Sequence, residues 1–350
     1  MTLSRILDNQ AKHFATDNSI GLCLANFAKQ CSDALFLGRN LELKIAKPVD
    51  AVFLCGVGGS ALAGEMILNQ AGDSGKLPFT VIRNYVLPPW ATEQSLVLAF
   101  SYSGDTEETL ACYNQAKDIK ATIVAVTSGG KLGEKAREDG VFTIDIPPGF
   151  QPRMATLHMA LPVLLLLQSM SLLTLEDQAI GETYTTLCQL TKRWGLENPT
   201  LKNRAKATAL QLYQKTPLIW GSQGGTDVGA RNFKNQLNET AEMTAFWGSV
   251  PEVNHNEIMS LAQGGNIGLV LLRHNNEAPR VAKRFEVAKT MLAEKTALLT
   301  EVKLPGQYHL TALCSAMYFG DLTAYYLSLL NGVDPESIAL INSFKVRMTQ

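Results

Sequence analysis

The run Ser101-Tyr102-Ser103-Gly104-Asp105-Thr106 brings three aliphatic hydroxyls and a glycine together. It follows the apolar segment Leu96–Phe100 and precedes the helix-like stretch Glu107–Ile119, so it stands where a strand passes into a helix. A helix N-terminus offers unpaired N–H groups and partial positive charge, which suits an anion. Ser and Thr add neutral O–H donors, and Gly104 lets the backbone approach a ligand. The chemistry predicted is a seat for a phosphate group. The same residue types also make ordinary helix caps, and the run alone leaves that reading open.

A second turn, Gly56-Val57-Gly58-Gly59-Ser60-Ala61, follows the apolar run Ala51–Cys55 and opens a helix from Ser60 to about Gln70. It satisfies the dinucleotide fingerprint GxGxx(G/A). That fingerprint needs an acidic residue closing the second strand, and the strand expected over Phe79–Arg83 ends on Arg83-Asn84. Two turns rich in glycine and hydroxyls favour a compact phosphate over an extended pyrophosphate.

Groups that could move protons are sparse. The five histidines are His13, His158, His255, His274 and His309, and no two lie within five residues of each other. His255-Asn256-Glu257 offers two possible metal ligands and no evident third, so neither metal nor other cofactor is expected. His255, in a loop-like stretch after Pro251, is of the type that relays protons near neutrality. As bases, Glu239, Glu242, Glu252 and Glu257 are equal candidates on chemistry alone. Arg153 follows Pro152 at the mouth of a very apolar helix, where its charge opposes the helix dipole unless an anion lies nearby. Lys345 reads only as part of a solvated tail.

These residues need elements to position them. Residues 1–45 read as largely helical, with apolar residues at spacings of three and four. Strands are expected at Ala51–Cys55, Phe79–Arg83, Leu96–Phe100, Thr122–Val126 and Phe142–Ile146, mostly with helices between them. Such nearly apolar strands predict a parallel sheet covered on both faces. After Pro147-Pro148-Gly149 come helices over about 156–170 and 175–194. The pattern restarts at Pro217–Trp220, with Gly221, Gly224 and Gly225 and a helix over about 226–237. Strands at Ile267–Leu272 and Ala297–Val302 and a helix over 309–331 complete a second α/β half, as in a diverged duplication.

The chain of 350 residues suits two domains, and 46% apolar against 18% charged residues allows large cores. A net charge of −1, from 31 basic and 32 acidic residues, argues against nucleic-acid and membrane-surface partners. Cys23, Cys31, Cys55, Cys112, Cys188 and Cys314 form no CxxC pair and read as free thiols of a reducing cytoplasm. The first residues lack the apolar core of a signal peptide, and the run Met159–Leu167 is too short to span a bilayer.

The Gly58-Gly59-Ser60 turn and the Ser101–Thr106 run together resemble a sugar isomerase (SIS) domain, in which both turns close around the phosphate of a phosphosugar. Four further stretches narrow the likeness. They are Gln151-Pro152-Arg153-Met154-Ala155, Asn235-Gln236-Leu237-Asn238-Glu239, Pro251 to Glu257, and Ile341-Asn342-Ser343-Phe344-Lys345. In order and spacing these resemble the bifunctional phosphoglucose/phosphomannose isomerase family from about residue 45 onward.

The resemblance implies two flavodoxin-like αβα SIS domains with mostly parallel sheets. They would lie at 46–170 and 211–350, joined by a helical connection over 171–210 and preceded by a helical segment over 1–45. It implies an isomerase that converts glucose 6-phosphate and mannose 6-phosphate to fructose 6-phosphate through an enediolate. Gly58, Gly59, Ser60, Ser101, Ser103 and Thr106 would bind phosphate. Glu239 would be the base, Arg153 would sit by the enediolate, and Lys345 would assist ring opening by His255. In this family the histidine comes from the neighbouring subunit of a homodimer. Asp105 and Thr240 stand where the family often has Asn, and Asp105 is expected to cap its own helix. Rival readings are another SIS isomerase or lyase and a non-catalytic phosphosugar sensor.

Overall fold

The computed structural model describes residues 3–15, 17–45, 47–72 and 74–348. The chain divides into two compact units, one of Ala28–Tyr184 and one of Met1–Phe27 with Thr185–Gln350. Among the described residues no helix is long and apolar enough to cross a membrane.

The Ala28–Tyr184 unit contains β1 (Ala51–Cys55), β2 (Phe79–Ile82), β3 (Ser95–Ser101), β4 (Thr122–Thr127) and β5 (Phe142–Asp145). They form one parallel sheet in the order β2-β1-β3-β4-β5. Every residue of β1 and β3 is buried, which explains why these strands are apolar throughout rather than alternating. Helices Gly59–Ala71, Glu107–Asp118 and Gly130–Glu138 start directly after β1, β3 and β4. A parallel sheet gathers such helix N-termini along the edge where its strands end. The helix Thr156–Ser169 is buried from Thr156 to Leu167, as its apolar circumference requires.

The second unit repeats this arrangement with β6 (Thr216–Ser222), β7 (Phe246–Val250), β8 (Ile267–Arg273) and β9 (Leu298–Lys303). Its parallel order, β7-β6-β8-β9, matches that of β2-β1-β3-β4. Most expected elements lie within two residues of those observed. The expectations from sequence do not include β7. This edge strand begins on the exposed Phe246 and carries Gly248-Ser249, so neither alternation nor an apolar run marks it. Helix Pro279–Leu292 also lies outside those expectations, while Arg204–Leu212 falls largely within the helical connection expected over 171–210.

The core of the second unit is the helix His309–Asn331, buried from Leu310 to Leu330. The helix Asp227–Glu239 rests on it at two places where only glycine fits. A methyl group at Gly229 would stand 2.4 Å from Ala316 Cβ, and one at Gly320 would stand 2.7 Å from Phe233 Cβ. This close seat fixes the helix that ends in Glu239. The N-terminal helices join the same unit partly through Lys206. Its buried Nζ donates to Leu196 O at 2.9 Å, Asn198 O at 2.8 Å and the Asp8 carboxylate at 3.2 Å. Gly320→Ala is expected to destabilise the protein by about 1–3 kcal/mol through overpacking at Phe233, read from its chemical denaturation midpoint.

Candidate active site

The Ser101–Thr106 turn is shaped by one hydroxyl. Ser101 is fully buried, and its Oγ accepts Gly104 N–H at 3.0 Å and Thr106 N–H at 3.4 Å. It also pairs with Thr106 Oγ1 at 2.8 Å. Ser103 is exposed and Thr106, the N-cap of Glu107–Asp118, is half-buried and makes no side-chain cap bond. The turn is therefore held from within, while two further hydroxyls stand at the mouth of a helix.

Gly104 lies at φ +79°, where a methyl group would come within 1.9 Å of Gly129 O. Its carbonyl accepts Leu132 N–H at 2.9 Å. The turn after β3 thus packs directly on the turn after β4, and glycine is required at the contact. Asp105 behaves differently from the expectation. Instead of capping its own helix, its Oδ1 accepts Lys131 N–H at 3.3 Å in the first turn of Gly130–Glu138. A neighbouring helix N-terminus attracts the carboxylate as strongly as its own does, and the close turn contact brings it within reach.

The Gly58–Ser60 turn joins this cluster. Gly58, at φ +60°, is the N-cap of Gly59–Ala71 and leaves the helix without a side-chain cap. Ser60 Oγ accepts Tyr102 N–H at 3.3 Å and lies 3.7 Å from Met159 Sδ. A methyl group at Gly59 would stand 3.0 Å from Pro152 O and 3.3 Å from Arg153 Cα. The turn expected to hold phosphate and the backbone of Arg153 are therefore in contact, and Arg153 itself is buried.

A third helix start lies here. Thr156–Ser169 has Ala155 as its N-cap with no side-chain cap bond, and the buried Thr156 hydroxyl has no hydrogen-bond partner among the described residues. Alanine is a poor N-cap, so this end keeps its donors uncommitted. Sequence reasoning does not single out Tyr102 or Thr156. An aromatic amid small hydroxyls, and an alanine where a cap belongs, are the available signals.

The remaining expected residues lie in the other unit. Glu239 is the last residue of Asp227–Glu239 and is half-buried. His255 is exposed and follows the short turn Glu252–Asn254 after β7. Lys345 is exposed on Ala339–Met348, a helix with no buried residue.

The helix after β6 runs back to the edge where strands begin, so Glu239 lies at that edge. β7 then runs forward, and His255 lies beyond the edge where strands end. The five residues of β7 separate these edges by about 16 Å.

The other candidate carboxylates differ in setting. Glu242 sits in a turn at φ +50°. Glu252 is exposed and accepts Asn256 Nδ2 at 2.7 Å. The Glu257 carboxyl is pushed above its ordinary range, chiefly by burial. The nearby Trp220 indole opposes that shift without a hydrogen bond of good geometry, and Glu252 adds to it. A methyl at Gly248 would stand 2.5 Å from Glu257 Oε2, so this carboxylate lies against β7. Among the described residues no group of three or more His, Cys, Asp or Glu side chains is placed to hold a metal ion.

Comparison with known proteins decides the family. The chain is 35% identical over 330 residues to the bifunctional phosphoglucose/phosphomannose isomerase of Caldicellulosiruptor bescii, covering 93% of this chain and 97% of the relative. The chain belongs to the bifunctional phosphoglucose/phosphomannose isomerase family. The member from Aquifex aeolicus is 28% identical over 302 residues, covering 85% of this chain and 90% of the relative. Residues 201–348 match the bacterial phospho-glucose isomerase C-terminal SIS domain.

A crystal structure of a hypothetical protein from Thermus thermophilus shares the fold. Its TM-score is 0.73 at 18% identity, covering 99% of this chain and 94% of that one. The Gly58–Ser60 and Ser101–Thr106 turns, expected to hold phosphate, both lie in the Ala28–Tyr184 unit. Gly104→Ala is expected to cost about 2–3 kcal/mol, because strain at positive φ adds to the backbone contact with Gly129. Chemical denaturation measures the loss, and the inhibition constant of inorganic phosphate should rise with it.

Proposed function

We propose that the chain interconverts glucose 6-phosphate and mannose 6-phosphate with fructose 6-phosphate through a cis-enediolate. It does so as a homodimer, without metal or organic cofactor. Membership of the isomerase family supports the substrate class and the reaction. The observation that carries the assembly is the placement of Glu239 and His255 at opposite edges of the second sheet.

Gly58, Gly59, Ser60, Ser101, Ser103 and Thr106 hold the phosphate through hydroxyls and close backbone, fixing one end of the sugar. His255 of a second copy, assisted by Lys345, takes the anomeric hydroxyl proton and returns a proton to the ring oxygen. The ring C–O bond breaks and the carbonyl forms. Imidazole suits this because it gives and takes a proton near neutrality. The Glu239 carboxylate then removes the C2 proton of the aldose, the O2 hydroxyl proton passes to O1 in the enediolate, and Glu239 delivers its proton to C1, leaving the ketose. Arg153 faces the enediolate oxygen, and its permanent charge supplies the electrostatic stabilisation the intermediate needs. The helix Ala339–Met348, which carries Lys345 with exposed Leu340, Phe344 and Val346, suits a segment covered on assembly. Free thiols suit a cytoplasmic enzyme at the entry of sugar breakdown and synthesis.

Activity on fructose 6-phosphate should persist in EDTA. Glu239→Gln should lower kcat by roughly 10²–10⁴-fold while phosphosugar binding survives. His255→Ala should also be nearly inactive on cyclic sugars and less impaired on open-chain analogues. Mixing the two inactive variants under subunit exchange tests the assembly directly. A shared site restores about a quarter of wild-type activity, since half the dimers are mixed and each has one intact site. No restoration would place His255 in its own chain's site and sink the proposal of an interface histidine.

A further inference from the structure

Tyr102 lies inside the phosphate turn, yet each of its polar groups points to a different part of the unit. Its N–H donates to Ser60 Oγ at 3.3 Å, reaching the turn after β1. Its carbonyl accepts Ser128 N–H at 3.1 Å and Ser128 Oγ at 2.6 Å, reaching the turn after β4. Its phenol donates to Pro147 O at 3.0 Å and accepts Phe150 N–H at 2.9 Å, reaching the segment that leaves β5. Tyr102 is itself buried, and its bond to Ser60 is sealed from water, while those to Ser128, Pro147 and Phe150 are partly screened from it.

The last pair is the informative one. Pro147, Pro148 and Gly149 are exposed and lie outside the sheet, with Gly149 at φ +92°. Two prolines remove backbone donors, so this stretch has few ways to hold itself. The phenol grips it from both sides. Phe150 then leans on His158, with ring centroids 4.9 Å apart. Directly after comes the turn Pro152–Met154, whose Arg153 Cα abuts the position a Gly59 side chain would take.

The geometry points to Tyr102 as a positioning residue that sets Arg153 relative to the phosphate seat. It acts through the phenol's grip on Pro147 and Phe150, and this rests on the reading of Arg153 as the residue beside the enediolate. The backbone of Tyr102 belongs to the seat, and its side chain holds the strand of chain that carries the guanidinium. The hydroxyl touches neither phosphate nor reacting carbon. Its loss therefore leaves the seat and blurs the placement of charge at the far end of the substrate.

Tyr102→Phe keeps the ring packing and removes only the phenol bonds. It is expected to lower kcat for fructose 6-phosphate roughly tenfold or more, the scale of a small misplacement of a catalytic group. The inhibition constant of inorganic phosphate, which reads the seat alone, should stay within about twofold of wild type. In an Arg153→Lys background the same substitution should add less than about a further twofold loss, because the two changes act through one group. An unchanged kcat in Tyr102→Phe, with Arg153→Lys strongly impaired, overturns the proposal. So does an undiminished loss in the Arg153→Lys background, or phosphate inhibition weakening in parallel with kcat. Full activity in Arg153→Ala would bring down the Arg153 assignment itself, and the positioning role with it.

Discussion

The Ser101 hydroxyl, sealed from water, is the interaction on which the phosphate seat depends. By accepting the N–H groups of Gly104 and Thr106 it closes the turn from inside. Ser103 is exposed at the start of Glu107–Asp118, and Thr106, paired with Ser101, makes no cap bond of its own. A buried hydroxyl that lost these bonds would leave backbone donors unsatisfied at a cost of about 1–3 kcal/mol, so the turn has one economical shape. The contact between Gly104 and Gly129 and the Tyr102 bonds to Ser60 and Ser128 carry that shape to the neighbouring turns. The sheet brings several helix N-termini to one edge. This hydroxyl decides that one of them is open to a ligand.

The second unit repeats a similar hydroxyl pairing on the same topology but fills its other turn differently. After β6, Ser222 and Thr226 pair their hydroxyls at 3.3 Å and bond each other's N–H groups, so both side chains are spent inside the turn. After β8, the strand equivalent to β3, the chain reads Arg273-His274-Asn275-Asn276-Glu277. The Glu277 carboxylate accepts His274 N–H at 3.1 Å and Arg273 Nε at 2.8 Å, and Arg273 also meets Glu286 and Glu301. An internal carboxylate therefore takes the donors that the β3 turn leaves for a ligand. Arg273 is held more firmly in its charged form by Glu277 and Glu286 despite the opposing effect of burial. The two halves share a scaffold and differ at these turns: Ser103 stays exposed after β3, while Glu277 fills the turn after β8.

Much of the fold was legible because parallel strands buried on both faces are apolar runs, and glycine turns punctuate them. One strand escaped this logic. β7 is an edge strand interrupted by Gly248, and its identity comes from pairing with β6, which local pattern does not encode. The hydroxyl-rich turns were legible for a related reason: glycines and hydroxyls cluster at a strand end. The choice among candidate bases was not. Glu239, Glu242, Glu252 and Glu257 are separated only by tertiary setting, a helix end seated on Gly320, a positive-φ turn, an exposed loop and a pocket against Gly248. Without the family resemblance no spacing would have chosen among them. Tyr102 was invisible for the opposite reason, since its partners Ser60, Ser128 and Pro147 lie far away in the chain.

Asp105 shows how a carboxylate can sit inside a phosphate turn. A negative charge there, left facing the seat, would repel the ligand and weaken the pull of the Glu107–Asp118 dipole. Capping that same helix would do further harm, because it would consume the donors the phosphate needs. Directed instead at Lys131 N–H, the charge is offset by a different helix, Gly130–Glu138. That route is open only because Gly104 and Gly130 let the two turns touch, with a Gly130 methyl otherwise 2.3 Å from Ser103 O. The glycine contact thus settles an electrostatic question as well as a steric one. The Asp105 charge is answered by Gly130–Glu138 and not by the helix it precedes.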